Sequence, residues 1–308
     1  PFLFEEMEDA VDRIIRAKVE GEKILVYGDR DVDGITSVAL IVETLEQLGI
    51  PVQWRVPMGD DPYGLSIAEI ERFAAEDGTL IVAVDCGTTN TAEIERAVEL
   101  GVDTIVVDHH NPQENLPPAV AVVNPKLSDS AYPFDGLCAC ALSAKLRQAL
   151  AFAVTPAYGE VVCLVNARPG NDTIIIDAVK LQNMVEVDRL TETIAPGMVT
   201  LDRTQFYQFV QGQPITVYEE STQKKLLREA FGQGVDIYVH DIAPEVWRAF
   251  PALRDRSLLW MGQSSRLAKY TEGTFPSEIE VFGNLFAALF AKKEPAVEEA
   301  LAGCLDLV

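Results

Sequence analysis

The alternation of apolar strand-like segments with helical segments constrains the fold of this chain more than any other feature. Five short apolar runs are predicted as strands, namely Lys23–Tyr27, Val52–Val56, Thr79–Val84, Thr104–Val107 and Ala119–Val123. Between them, apolar residues recur at helical spacing in Ser37–Leu48, Ser66–Ala75 and Thr91–Leu100. Such alternation indicates an α/β fold with a doubly wound parallel sheet covered on both faces. Ligands bind such sheets beyond the carboxyl ends of the strands.

The length of the chain and a second α/β pattern predict two domains. The 308 residues exceed what one ordinary hydrophobic core organises. We assign residues 1–155 to the first domain and residues 156–275 to an inserted second α/β domain. The inserted domain is indicated by a new series of strands, predicted at Glu160–Val165, Thr173–Leu181 and Val185–Ile194. Residues 276–308 are helical in character, and we expect them to return to the first domain.

The net charge of −23 limits the partners of the chain. Such a charge repels phosphate backbones, so we do not expect strong non-specific binding of nucleic acid. Part of the acidic excess is what a site for divalent cations requires, because clustered carboxylates are neutralised when the metal binds.

The sequence lacks signs of membrane insertion. No apolar run reaches the roughly 20 residues that a bilayer span requires, and the N-terminal segment PFLFEEMEDAVDRI is acidic. The five cysteines are odd in number and lack a CxxC spacing, which favours reduced thiols over a zinc cage or a disulfide framework. We therefore expect a cytoplasmic protein without membrane association.

An acidic loop follows the first predicted strand. In Gly28–Gly34, three aspartates occupy alternate positions: Asp29, Asp31 and Asp33. These side chains repel one another, and only solvent exposure or bound cations make their proximity tolerable. The loop therefore indicates a cation site, with a solvated acidic turn as the alternative.

Two further motifs end later strands. Asp85 closes a strongly apolar strand, and Gly87 lets the backbone turn soon afterwards. Alone, Asp85 is equally compatible with a helix cap. Asp108, His109 and His110 close the next strand and contain two of the three histidines of the chain. A lone histidine is usually structural, but imidazole beside carboxylates is a normal ligand set for manganese and related ions.

The three motifs should meet. Each lies at the carboxyl end of a different strand, and a doubly wound sheet brings neighbouring strand ends together. We predict one cluster containing Asp31, Asp33, Asp85 and His109, with His110 close by. Two divalent ions held by shared carboxylates clamp the attacking and leaving oxygens of a phosphoryl displacement.

The same motifs resemble those of the DHH phosphoesterase superfamily, and most closely those of RecJ-type exonucleases. The likeness covers roughly residues 1–155. It lies in the segments Tyr27–Gly34, Tyr63–Leu65, Val84–Gly87, Asp108–His110 and Val123–Lys126.

This resemblance implies a metal-dependent phosphodiesterase that releases nucleotides from the 5′ end of single-stranded DNA in repair or recombination. Two Mn²⁺ or Mg²⁺ ions would be held by Asp31, Asp33, Asp85 and His109. Asp29 would be a further ligand or lie beside the ions. His110 would contact the scissile phosphate, and Asp108 would orient the ligands.

The family's fourth motif resembles Leu305–Val308, where the sequence stops. We therefore expect the chain to be part of a longer protein, and its catalytic activity to depend on that longer protein. Arg30 also stands where an aromatic residue is common in the family, which bears on substrate contacts more than on metals.

The inserted segment resembles proofreading-type 3′-to-5′ exonucleases through Asp172–Leu181, Val187–Arg189 and Ile194–Gly197. That family needs an Asp-x-Glu pair on its first strand, whereas this chain has Val161–Ala167, which contains neither acid. We predict an inactive module that serves as a spacer or docks a protein partner. His240 is interpreted as structural.

Two other functions stay open. A hydrolase of short oligonucleotides or cyclic dinucleotides would share every ligand, and a non-catalytic DHH-like scaffold would keep the fold alone. The intact acidic cluster argues against the scaffold, because a site without function has no reason to keep mutually repelling groups.

Overall fold

The computed structural model describes residues 1–59, 61–235, 237–264 and 275–293. The chain divides into two compact units, the first being Pro1–Thr155 and the second beginning at Pro156. Each unit has its own sheet, which confirms the predicted α/β class.

The first unit is a parallel five-stranded sheet with the order β2-β1-β3-β4-β5. Its elements are α1 (Met7–Glu20), β1 (Lys23–Gly28), α2 (Val32–Gln47), β2 (Val52–Arg55), α3 (Ile67–Ala75), β3 (Gly78–Val84), α4 (Thr91–Glu99), β4 (Asp103–Val107), β5 (Ala121–Val123) and α5 (Ala139–Ala153). Leu80–Val84 and Ile105–Val107 are fully buried, as expected for parallel strands covered on both faces. The predicted doubly wound parallel sheet is confirmed.

The register of this sheet brings four strand ends to one edge. Gly28 pairs with Val84, Val84 with Val107, and Val107 with Val123, each the last residue of its strand. The residues that follow are Asp29, Asp85, Asp108 and Asn124. These residues therefore begin their loops side by side.

Helix α2 begins at Val32, five residues before the predicted start at Ser37. The carboxylate of Asp31 accepts the backbone N–H of Gly34 at 2.9 Å and so caps the helix. Asp33 consequently lies in the first helical turn.

The second unit is a mixed sheet with the order β10-β9-β6-β7-β8, in which β7 is antiparallel to both neighbours. Its elements are β6 (Val161–Pro169), β7 (Ile174–Gln182), β8 (Val185–Ile194), α6 (Gln205–Val210), β9 (Ile215–Val217), α7 (Glu220–Phe231), β10 (Val239–Asp241), α8 (Ala243–Ala249), α9 (Leu258–Ser264) and α10 (Glu278–Lys293). Helices α6 and α7 contribute to the apolar cluster around Phe206, and α8, α9 and α10 to that around Phe282. The likeness to proofreading exonucleases stays a prediction.

The position of helix α10 differs from the expectation that residues 276–308 return to the first domain, because α10 packs within the second unit. Its side chains Phe282 and Leu285 share an apolar cluster with Leu164 of β6 and Val179 of β7. The second sheet needs an apolar helix over this face, and α10 provides it. Residues 294–308, including the resemblance at Leu305–Val308, lie outside the described residues.

The sequence led us to expect no membrane-spanning segment and reduced cysteines. Within the described ranges, no helix combines the length and the apolar character needed to cross a membrane. Cys86, Cys138, Cys140 and Cys163 are free thiols, and Cys304 lies outside the described residues.

A buried arginine connects α1 to the first sheet at the amino ends of its strands. The side chain of Arg13 is only 5% exposed, and its guanidinium lies 2.6 Å from Glu22 and 2.6 Å from Asp103. Glu22 precedes β1 and Asp103 begins β4, so one cation joins three elements. Removing the guanidinium leaves Glu22, whose side chain is only 13% exposed, without a counter-charge.

We predict that Arg13→Ala lowers the free energy of unfolding by about 3 kcal/mol, measured by urea denaturation. Arg16→Ala is the matched control, because Arg16 contacts the same Asp103 at 3.3 Å but is 55% exposed. The control should lose less than about 1 kcal/mol. Equal losses in the two variants would contradict the assigned role of burial.

Candidate metal centre

Asp85 occupies the centre of the edge formed by the strand ends. Its backbone has a φ of 58°, in the left-handed region that non-glycine residues rarely adopt. The residue is 2% exposed, and burial raises the pKa of its carboxyl group to about 7, with the charges of Asp33 and Asp31 acting in the same direction. A carboxyl group so placed needs either a proton or a cation.

His109 joins two of the aspartates. Its Nε2 lies 3.3 Å from the carboxylate of Asp85 and 3.7 Å from that of Asp33. The structure therefore brings together side chains from the loops after β3 and β4 and from the first turn of α2. This is the convergence that the sequence predicts.

The donor atoms form two overlapping sets of metal-ligand type. Those of Asp85, His109 and His110 lie within 4.8 Å of one another, and so do those of Asp29, Asp31 and Asp85. Asp85 belongs to both sets. Carboxylate oxygens with imidazole are donors suited to Mn²⁺, and carboxylate oxygens also to Mg²⁺.

Asp29 supplies an independent test of the fit. It is 7% exposed, and its Oδ1 has no hydrogen-bond partner within the part of the chain that the structure describes. A buried carboxylate oxygen without a partner is costly. A cation between Asp29, Asp31 and Asp85 would satisfy it, so the residues present fit a divalent ion.

Asp33 is oriented by helix α5. Its two carboxylate oxygens accept the backbone N–H groups of Ala139 and Cys140 at 2.9 and 2.8 Å. The helix N-terminus thereby stabilises the negative charge, and carboxylate lone pairs remain for other partners. What the N-terminus of this helix contacts was not predicted from the sequence.

Asp108 is saturated with hydrogen bonds. It accepts from the backbone N–H groups of Thr88, His109 and His110 at 3.1, 2.8 and 3.2 Å, and lies 2.7 Å from Nδ1 of His110. Burial acts to raise its pKa, but hydrogen bonds from Thr88 and His110 outweigh burial and hold the pKa below its usual value. This arrangement suits a group that orients the histidines rather than a metal ligand.

Thr88 and Asn124 contribute to the site in a way that was not predicted from the sequence. The amide of Asn124 donates to the hydroxyl of Thr88 at 3.1 Å and to the carbonyl of His110 at 2.9 Å. Asn124 thus fixes the histidine loop from the end of the neighbouring strand. Its place directly after an apolar strand was the available signal.

The acidic loop ends at Gly34, where the backbone passes close to Asp29. A Cβ at this position would lie 2.4 Å from the carbonyl oxygen of Asp29, so only glycine permits the approach. The loop folds back on itself there, which places Asp29 next to the start of α2.

The chain is similar in part to known proteins. Residues 23–177 match the DHH family, N-terminal domain. The single-stranded-DNA-specific exonuclease RecJ of Bacillus subtilis (strain 168) is 37% identical over 151 residues, which are 49% of this chain and 19% of that protein. RecJ of Escherichia coli (strain K12) is 40% identical over 146 residues, which are 47% of this chain and 25% of that protein.

A crystal structure of exonuclease RecJ bound to manganese is 31% identical, covers 48% of this chain and 37% of that chain, and has a TM-score of 0.42. The chain spans only a minor part of each of these proteins. The family match covers half of its 308 residues. The chain therefore belongs to the DHH family.

Proposed function

We propose that this chain carries the two-metal centre of a phosphodiesterase that degrades single-stranded DNA from its 5′ end. The observation that carries the proposal is the pair of donor sets sharing Asp85, one of them including a buried oxygen of Asp29 without a partner among the described residues. Two of the relatives are single-stranded-DNA-specific exonucleases, which supports the substrate class.

The ligands proposed for two Mn²⁺ or Mg²⁺ ions are Asp31, Asp33, Asp85 and His109, with Asp29 as a further ligand or neighbour. The ions would lower the pKa of a bound water and stabilise charge on the phosphate oxygens. The combination of carboxylate oxygens with an imidazole nitrogen supports Mn²⁺, and the carboxylate oxygens alone suit Mg²⁺ as well.

His110 and Asp108 have different proposed roles. The imidazole of His110 is 43% exposed, so it can contact the scissile phosphate, while its Nδ1 lies 2.7 Å from Asp108. Asp108 holds both histidine N–H groups and therefore fixes the direction of the loop. In this proposal Asp108 acts through His109 and His110, without touching the ions.

The second unit is proposed to be a module without nuclease activity that docks a protein partner. Strand β6 carries no carboxylate, and its buried amide, Asn166, is bonded to Gln223 at 3.1 Å and Glu278 at 3.3 Å. Hydrolysis is therefore assigned to the first unit, in single-strand processing during DNA repair or recombination.

Asp85→Asn should reduce Mn²⁺-dependent hydrolysis at least about 100-fold, equivalent to about 3 kcal/mol of barrier. The substrates are 5′- and 3′-labelled single strands, duplex DNA, short oligonucleotides and a cyclic dinucleotide, with Mn²⁺ and after chelation. The assay uses the longest natural polypeptide that contains this chain. Asp77→Asn is the control, because Asp77 also has a positive φ, of 60°, but is exposed and outside the cluster.

Early release of the 5′ label from single strands alone would support the proposal. Hydrolysis that survives chelation, or unchanged activity in Asp85→Asn, would sink it. Preference for the cyclic dinucleotide would favour the alternative substrate class.

Asp85→Asn should also stabilise the metal-free protein at high pH. The pKa of Asp85 is about 7 in the folded protein against a usual 3.8, so folding is penalised increasingly as pH rises from about 4 to 7. Asparagine tolerates the left-handed backbone and removes the charge. Between pH 5 and pH 8 the stability difference should grow by about 2 kcal/mol in favour of the variant, measured by urea denaturation with chelator.

Saturating Mn²⁺ should stabilise wild type more than the variant, because the ion replaces the proton as the partner of Asp85. A stability difference independent of pH would contradict the electrostatic account of this site.

A further inference from the structure

We infer that Tyr63 is a positioning residue of the metal centre, tying the main chain of Asp85 to the ring of His110. This inference rests on the proposed function. The hydroxyl of Tyr63 donates to the carbonyl oxygen of Asp85 at 3.2 Å and lies 3.3 Å from Nε2 of His110. The two rings meet edge to face, with centroids 5.9 Å apart. The segment Tyr63–Leu65 belongs to the sequence resemblance but has no assigned role.

Asp85 needs such a restraint because its backbone is strained. A non-glycine residue with a φ of 58° persists only where its surroundings hold it. Its N–H is held by the carbonyl of Val107 at 3.0 Å, and its own carbonyl accepts from Tyr63. The residue whose carboxylate belongs to both donor sets is thus fixed from both sides.

His110 needs a restraint because its side chain is partly exposed. Asp108 holds Nδ1 at 2.7 Å, which leaves the opposite edge of the ring unrestrained by that contact. The hydroxyl of Tyr63 lies 3.3 Å from Nε2 and 3.4 Å from Nδ1 of this ring, so it adds a second contact to that of Asp108. Tyrosine has a single proton, and donating it to Asp85 leaves the phenolic oxygen as an acceptor toward the ring.

Tyr63 is itself placed by the residues that follow it. Gly64 has a φ of 80°, and a Cβ there would lie 2.7 Å from the amide of Asn90. Leu65 is buried in the same apolar cluster as Tyr27 and Ile70. Leucine anchors the segment and glycine turns it, so that the tyrosine, which is 48% exposed, reaches across to the loops after β3 and β4.

Tyr63→Phe tests the inference because it keeps the ring and removes the hydroxyl. Loss of a group that orients metal ligands typically weakens metal binding 10- to 100-fold. We expect Mn²⁺ affinity of the 308-residue chain, measured by titration calorimetry or electron paramagnetic resonance, to fall about tenfold. In the longer polypeptide kcat should fall with little change in KM. The denaturation midpoint of the metal-free chain should barely move, which separates positioning from folding.

Two variants accompany the test. Gly64→Ala displaces Tyr63 without removing its hydroxyl and should weaken Mn²⁺ binding in the same direction. Tyr207→Phe, at a similarly exposed tyrosine of α6, should leave Mn²⁺ affinity unchanged.

Equal Mn²⁺ affinity and kcat in wild type and Tyr63→Phe would overturn this inference alone. Absence of Mn²⁺ binding by wild type would overturn the metal centre and the inference together. Mn²⁺ binding without hydrolysis would refute only the proposed reaction, and a tenfold affinity loss in Tyr63→Phe would still support the positioning role.

Discussion

Repulsion among carboxylates that the sheet forces together governs the first unit. The parallel register places Asp29, Asp85 and Asp108 side by side with little access to water. The three carboxylates are stabilised in different ways. Asp108 receives four hydrogen-bond contacts, Asp85 has its pKa raised, and Asp29 keeps one oxygen without a partner among the described residues. The pattern of hydrogen bonding therefore distinguishes Asp108, which orients its neighbours, from Asp85 and Asp29, which can bind a cation.

The sequence was sufficient to predict the parallel sheet and the convergence of its motifs. Strands buried on both faces, such as β3 and β4, appear as uninterrupted apolar runs, which is a strong signal. The polar residue that ends each run is then conspicuous, as Asp85 and Asp108 are. Because neighbouring parallel strands end at the same edge, their positions in the sequence implied their proximity in space.

Contacts that depend on the direction of a helix could not be predicted in this way. Asp33 meets the start of α5 across 106 positions of sequence, and nothing in the Ala-rich helix indicates what its N-terminus approaches. Helix α10 was misplaced for a related reason. Its apolar face shows that it covers a sheet but not which sheet, and the match with Leu164 and Val179 is a tertiary fact. The early start of α2 depended on whether Asp31 caps a helix or only points to solvent.

The donors that hold Asp33 belong to the main chain of Ala139 and Cys140 rather than to their side chains. Every amino acid except proline supplies the same N–H group. The orientation of this carboxylate therefore does not depend on which side chains occupy the two positions. A geometric requirement of this kind leaves almost no trace in residue identity, and it becomes visible only once the backbone has been traced.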